Sequence, residues 1–291
     1  AEEPEDMTPS RQLAEIRRKA SALLATASEY WLKTLAPKLR EKDVHLVRYG
    51  ELSEKQRRFL LAYFRDEIYP VLTPQAIDPG HPFPTISNLS LNFIIQLQGR
   101  DGVDRFARLR CPSNVPRFIF IPRNKDATTY ASLGLKANVR DADILPVEEL
   151  IREHLGLLFP GYRVIDCGLF RITRNTDVTI DEDESDDLLE AVQDMVDQRR
   201  FGGVVRLEAA RGMSGSLSEF LIKKLSLKPF QIYRVKGPLA FAQFMALYGL
   251  DRPGLKTPPH SPAMPPVLQA DALFRVIRGQ DVFLHHPYDS F

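Results

Sequence analysis

Leu91-Asn92-Phe93-Ile94-Ile95-Gln96-Leu97 is the stretch on which the fold turns. It reads as a short strand, and the run Gln98-Gly99-Arg100-Asp101-Gly102 behind it has hairpin chemistry. Two further apolar runs, FARLRC (106–111) and RFIFIP (117–122), repeat the strand signal with turns between them. A strand-rich meander therefore occupies the middle of the first half of the chain.

Working outward, the upstream side is helical. Thr8 suits an N-cap and Pro9 the first helical position. Leu13, Ile16, Ala20, Leu23, Leu24, Ala27, Tyr30 and Trp31 follow at helical spacing. Pro37 is expected to end or kink this helix. A second helix is expected from Ser53, where Gln56 completes a capping-box pattern, with Phe59, Leu60, Tyr63 and Phe64 inward. The next stretch carries Pro70, Pro74, Pro79, Pro82 and Pro84, which predicts an irregular ordered connection and a soft boundary.

Downstream the element types alternate. Helix is expected over 146–159, 185–200, 216–225 and 238–248, and strand over 170–174, 204–209 and 231–235. The proline-rich run 252–268 should be extended, followed by a helix over 270–278 and a strand DVFLHH. The fold class that results is α+β: an N-terminal helical segment, then an α+β domain with a mixed sheet. A soft domain boundary is placed in the proline-rich stretch that starts at Pro70.

Composition narrows the function classes. The chain has 291 residues, 39 Lys+Arg against 38 Asp+Glu, and 44% hydrophobic residues. Near-neutral charge argues against bulk attraction to nucleic acid, so any polyanion must bind a local patch. No apolar run reaches the ~20 residues of a membrane span, and the acidic start is unlike a signal peptide. The chain begins at alanine, which suggests a trimmed or internal start. Cys111 and Cys167 lack paired spacing and fit buried thiols in a reducing cytosol.

Candidate chemistry is sparse. The acidic run Asp177, Asp181, Glu182, Asp183, Glu184, Asp186 and Asp187 is read as favourable charge at a helix start rather than a magnesium site. It is expected to be exposed and metal-free. RGMSGS (211–216) opens a helix and reads as an N-cap, with phosphate binding as the weaker alternative. His45, His81, His154 and His260 stand alone. His285 and His286 are adjacent, and on a strand they would face opposite ways. No base or metal partner for them is visible from spacing.

Several longer strings then stand in a telling order: YPVLTP, DPGHPFP, SNLSLN, FRITRNTD, RRFGGVVRLE, YRVKGPL and DVFLHHPYDSF. Together they resemble the bacterial polyphosphate kinase family, over about Thr8 to Phe291; RNTD departs from an expected RNAD. The resemblance implies a longer parent enzyme that reversibly transfers the terminal phosphate of ATP to inorganic polyphosphate through a phosphohistidine. On that plan residues 8 to about 68 are the end of a helical domain, about 70 to 285 a head domain associated with dimer contacts, and HHPYDSF the junction into the first catalytic domain, which implies domains at 1–69, 70–284 and a junction at 285–291. The family's phosphorylated histidine and magnesium-binding arginines would lie beyond Phe291. No catalytic, cofactor or metal residue is therefore carried over to this chain. His285, His286 and Tyr288 are expected to be adjacent to the active site. ATP and Mg2+ belong to the parent enzyme, as do its partners polyphosphate and ATP/ADP. A homo-oligomer in the cytoplasm is expected, with peripheral membrane association as a variant, no nucleic acid and no transmembrane segment. The alternatives are a non-enzymatic polyanion (RNA)-binding module and a regulatory paralogue.

Overall fold

The computed structural model describes residues 8–77, 83–123, 142–175, 202–263, 268, 273–286 and 288–289. Two compact units divide the chain, Ala1–Leu250 and Asp251–Phe291.

The first unit is built around a six-stranded sheet. Its strands are β2 (Pro74–Ile77), β3 (Leu91–Gln98), β4 (Asp104–Arg110), β7 (Arg163–Arg174), β8 (Val204–Ala210) and β9 (Ile232–Val235), ordered β2-β4-β3-β7-β8-β9. All pairs are antiparallel except β8–β9, so the sheet is mixed as expected. The β3–β4 hairpin closes where its turn chemistry lies: Gly102 adopts φ +72, which glycine takes without strain. Arg105 donates to Asp101 at 2.6 Å, and this bond holds the Asp101 carboxyl down at about 2.

β3 is buried on both faces, which explains why its sequence is nearly continuously apolar. Leu91, Phe93, Ile95 and Leu97 face one core, with Leu60, Phe64 and Ile68 and with Leu150, Ile151 and Leu155. Ile94 faces the other, with Phe170, Ile172, Leu207 and the Leu217 and Leu221 of α6 (Gly215–Lys224). Its four apolar side chains on one face and Ile94 on the other, each worth about 1.5–3 kcal/mol buried, tie the strand into both cores.

A second, three-stranded sheet runs β1 (His45–Leu46), β6 (Ala142–Pro146), β5 (Phe118–Pro122). RFIFIP thus leaves the meander and forms β5 of this smaller sheet. Its alternation drives the split: Ile119 and Ile121 join the large core, while Phe118 and Phe120 pack with Val44, Ile144 and Leu250.

The helical segment belongs to the same unit. α1 (Pro9–Tyr30) runs into a π-helical turn at Trp31–Leu35 and resumes as α2 (Ala36–Glu41). Pro37 does not end the helix. The wide turn in front of it absorbs the missing N–H and the ring's bulk, which is the usual route by which a helix accommodates an internal proline. Thr8 occupies the N-cap position, but its side chain makes no capping bond. The capping box at α3 (Glu54–Tyr63) forms as read: Ser53 N donates to Gln56 Oε1 at 2.9 Å and Gln56 N to Ser53 Oγ at 3.3 Å. α1 lies close on the loop after β9. A Cβ at Gly237 would sit 2.9 Å from Ser28 Oγ and 3.1 Å from Ser28 Cα.

Other expectations need correction. The strand over 170–174 is the end of a twelve-residue β7. Residues 238–248 do not form an α-helix; Phe241–Gly249 winds as 3-10 turns after Ala240, whose φ is +54. Arg117, far away in sequence, bonds the Leu239 carbonyl and shares the Ala240 carbonyl with Gln243 N, whose bond back three residues is the 3-10 pattern. The helix over 146–159 appears as α4 (Val147–Glu153) and α5 (Leu155–Leu158). The 185–200 helix and the acidic run, like His81, lie outside the described residues.

The second unit holds α7 (Leu273–Gly279) and a C-terminal turn. DVFLHH is not a strand. Asp289 Oδ2 accepts from His285 N at 2.7 Å, and the His285 carbonyl accepts from Tyr288 N at 2.7 Å and Asp289 N at 2.9 Å, closing a turn.

Candidate functional site

The most structured polar site of the first unit is a cleft of 230 Å³ where the start of β3 meets the end of β4. The SNLSLN string forms one wall, and each polar residue in it has a definite task. Asn88 Oδ1 accepts from Arg174 N at 2.9 Å, capping the end of β7. Leu89 follows at φ +57, so the chain turns sharply there. Ser90 donates to the Ser87 carbonyl at 2.7 Å. Asn92, fully buried, donates to Ser90 O at 2.8 Å and accepts from Arg108 Nε at 2.9 Å.

Arg108 is a buried cation, 5% exposed, with neutral partners among the described residues: Asn92, Gln75 Oε1 at 2.6 Å and the Thr85 carbonyl at 3.2 Å. Burial lowers its guanidinium from the ordinary value, and the nearby Arg110 lowers it further. Arg110 stands two residues along the same face of β4, exposed, and lines the cleft.

The opposite wall is an ion pair. Arg117 donates to Glu148 Oε1 at 2.6 Å, with both side chains 9% exposed. Its remaining donors reach the Leu239 carbonyl at 2.9 Å, the Ala240 carbonyl at 3.0 Å and Gln243 Oε1 at 2.9 Å. The pair therefore neutralises and saturates itself, and fastens β5, α4 and the 3-10 segment together. Cys111 lines the cleft, and burial pushes its thiol well above the ordinary range, as befits an inert cysteine.

The histidine cluster lies in the second unit. His285 and Tyr288 are in ring contact, with centroids 4.8 Å apart, and Tyr288 also meets His260 at 5.3 Å. His260 Nε2 lies 3.2 Å from the Tyr288 carbonyl. His286 is exposed in the same turn. The opposite-faces argument thus gives way to a turn that brings His285 and Tyr288 together and adds His260, which spacing could not reveal. Among the described residues no group of three His, Cys, Asp or Glu is arranged to hold a metal. At RGMSGS, Ser214 caps α6, its hydroxyl accepting from Leu217 N at 3.3 Å.

The cleft residues escaped the sequence reading. Their signal was present in the SNLSLN string and in arginines at alternate positions of FARLRC. Only pairing β3 with β4 and bringing up Arg117 shows that they share one cleft.

A fold of this topology with this middle segment has counterparts. The family model described as polyphosphate kinase middle domain matches residues 55–247. Proteins named polyphosphate kinase from Mycolicibacterium gilvum and Mycobacterium avium are 37% and 38% identical over 290 residues, 98% of this chain. The chain spans only 38% and 39% of their length. A crystal structure of polyphosphate kinase from Porphyromonas gingivalis matches with a TM-score of 0.72 over 96% of this chain and 38% of that one; at 21% identity it attests the fold. The chain belongs to the polyphosphate kinase family. No described helix is long and apolar enough to cross a membrane.

Proposed function

We propose that this chain serves as the scaffold and oligomerisation region of an ATP–polyphosphate phosphotransferase. The whole enzyme would move the terminal phosphate of ATP to inorganic polyphosphate, reversibly, through a phosphohistidine. The observation that carries the reading is the middle-domain match over 55–247, which takes in most of the residues that form the two larger cores of the first unit. Phosphoryl transfer rests on positioning and on neutralising cations. Within the first unit, the half-buried arginines Arg117, Arg171 and Arg206 are engaged with the buried Glu148 and Glu208, a structural use. His285, His286 and Tyr288 are assigned to the edge of the active site rather than its centre.

The oligomerisation role is motivated by α1. Leu13, Ile16, Leu23 and Tyr30 are exposed along one face, Leu23 to 72%. Trp31 is not part of this stripe; it packs edge-on against Phe244 at 4.7 Å. An exposed apolar helix face of this kind marks an interaction surface. Sedimentation equilibrium should show concentration-dependent self-association, weakened by Leu23→Glu. A strictly monomeric chain at high concentration contradicts the oligomerisation role.

A further inference from the structure

We propose that the cleft between the SNLSL turn and the Arg110–Ser113 segment binds a linear oligophosphate, gripped by Arg110 with Asn88, Ser113 and Gln243 completing the donor set. The argument is an inventory of the cleft's hydrogen-bonding groups. Asn88 Oδ1 accepts from the Arg174 backbone, which fixes the amide orientation and leaves its NH2 without an acceptor among the described residues. Gln243 Oε1 accepts from Arg117, which does the same for its NH2. The Arg110 guanidinium and the Ser113 hydroxyl likewise have no acceptor among the described residues, and all four residues line the cleft. Its one carboxylate, Glu148, is engaged by Arg117 at 2.6 Å.

The cleft thus presents four donor groups, one of them cationic, and no free carboxylate. That set is complementary to an acceptor-only anion, and Arg is the residue best shaped to bind phosphate oxygens. Arg108 lies two residues away on the same face, and its buried positive charge has no carboxylate partner among the described residues. A bound anion would relieve the repulsion between these two guanidiniums.

Size selects among anions. At 230 Å³ the cleft is smaller than the ~300–1,000 Å³ that encloses an organic ligand. That volume suits a short run of phosphates. The need for an anion stands on the donor inventory; naming it an oligophosphate rests on the function proposed above.

The test is titration calorimetry of the 291-residue chain with tripolyphosphate, ATP, orthophosphate and oligoglutamate. Tripolyphosphate should bind saturably and more tightly than orthophosphate, and Arg110→Gln should weaken it about tenfold or more. Ser113→Ala, an exposed and structurally mild change, should weaken it by a smaller factor. Arg58→Gln, an equal charge loss on α3, should leave it unchanged. Tripolyphosphate binding more tightly than ATP assigns the cleft to the inorganic polymer; the reverse order, with the same dependence on Arg110, assigns it to the phosphates of a nucleotide. The proposal is overturned by absence of saturable binding, by equal losses in Arg110→Gln and Arg58→Gln, or by oligoglutamate binding as well as tripolyphosphate. Such a failure leaves the scaffold role intact, because self-association and family membership use none of these donors.

Discussion

Replacing Glu148 by alanine is expected to lower the stability of the chain by about 3–5 kcal/mol, the cost of leaving a buried arginine without its counter-charge. Arg117 and Glu148 are each 9% exposed, so water cannot substitute for the lost partner. The damage spreads because Arg117 also holds the Leu239 and Ala240 carbonyls and Gln243. Glu148 sits in the first turn of α4, where its charge complements the helix dipole as well. Urea unfolding should show the loss, and Glu148→Gln should show a smaller one because an acceptor remains. The double variant Arg117→Met/Glu148→Ala should recover much of it, since the orphaned charge is the main cost. A loss below about 1 kcal/mol for Glu148→Ala would place the pair among exposed, weakly coupled bridges.

The second large effect concerns Asn92. Asn92→Leu keeps the volume and removes the acceptor of a charged donor buried beside it. Hydrogen bonds to charged groups contribute about 1.5–3 kcal/mol, so a loss of about 2–3 kcal/mol is expected. Asn92 also ties down Ser90 through its amide, so the turn of the cleft should loosen with it. Arg108→Met combined with Asn92→Leu should be far milder than Asn92→Leu alone. Equal losses in the single and double variants would show that Arg108 is solvated well enough to stand without Asn92.

Much of this architecture can be read in the residues, for identifiable reasons. Strong local signals survive folding: the capping box at Ser53, the Gly102 turn and the apolar run of β3 each appear where the sequence places them. Readings that failed are those where a side chain outside the segment captures its backbone or its partner strand is set elsewhere. The helix over 238–248 is undone by Arg117, whose partner carbonyls lie more than a hundred residues away in sequence. β5 carries an ordinary strand pattern, and nothing in that pattern says which of two sheets it joins. DVFLHH has strand-like residues, but Asp289 captures the backbone of His285 instead. The cleft is the extreme case. Asn88, the Arg110–Ser113 stretch and Gln243 come from three separate segments, so no spacing rule groups them.

In the role proposed above, this chain supports phosphoryl transfer without performing it. The direct measurement is incubation of the chain with labelled ATP and magnesium, followed by alkaline work-up that preserves phosphohistidine. His285 and Tyr288 share a small exposed turn, and His260 from an earlier stretch packs on it with its ring nitrogen 3.2 Å from the Tyr288 backbone carbonyl. A nucleophile without positioned cations has no route to a useful rate. The account predicts no label on the protein and no elongation of added polyphosphate. Label on His285 or His286, or any growth of the polymer, would contradict it.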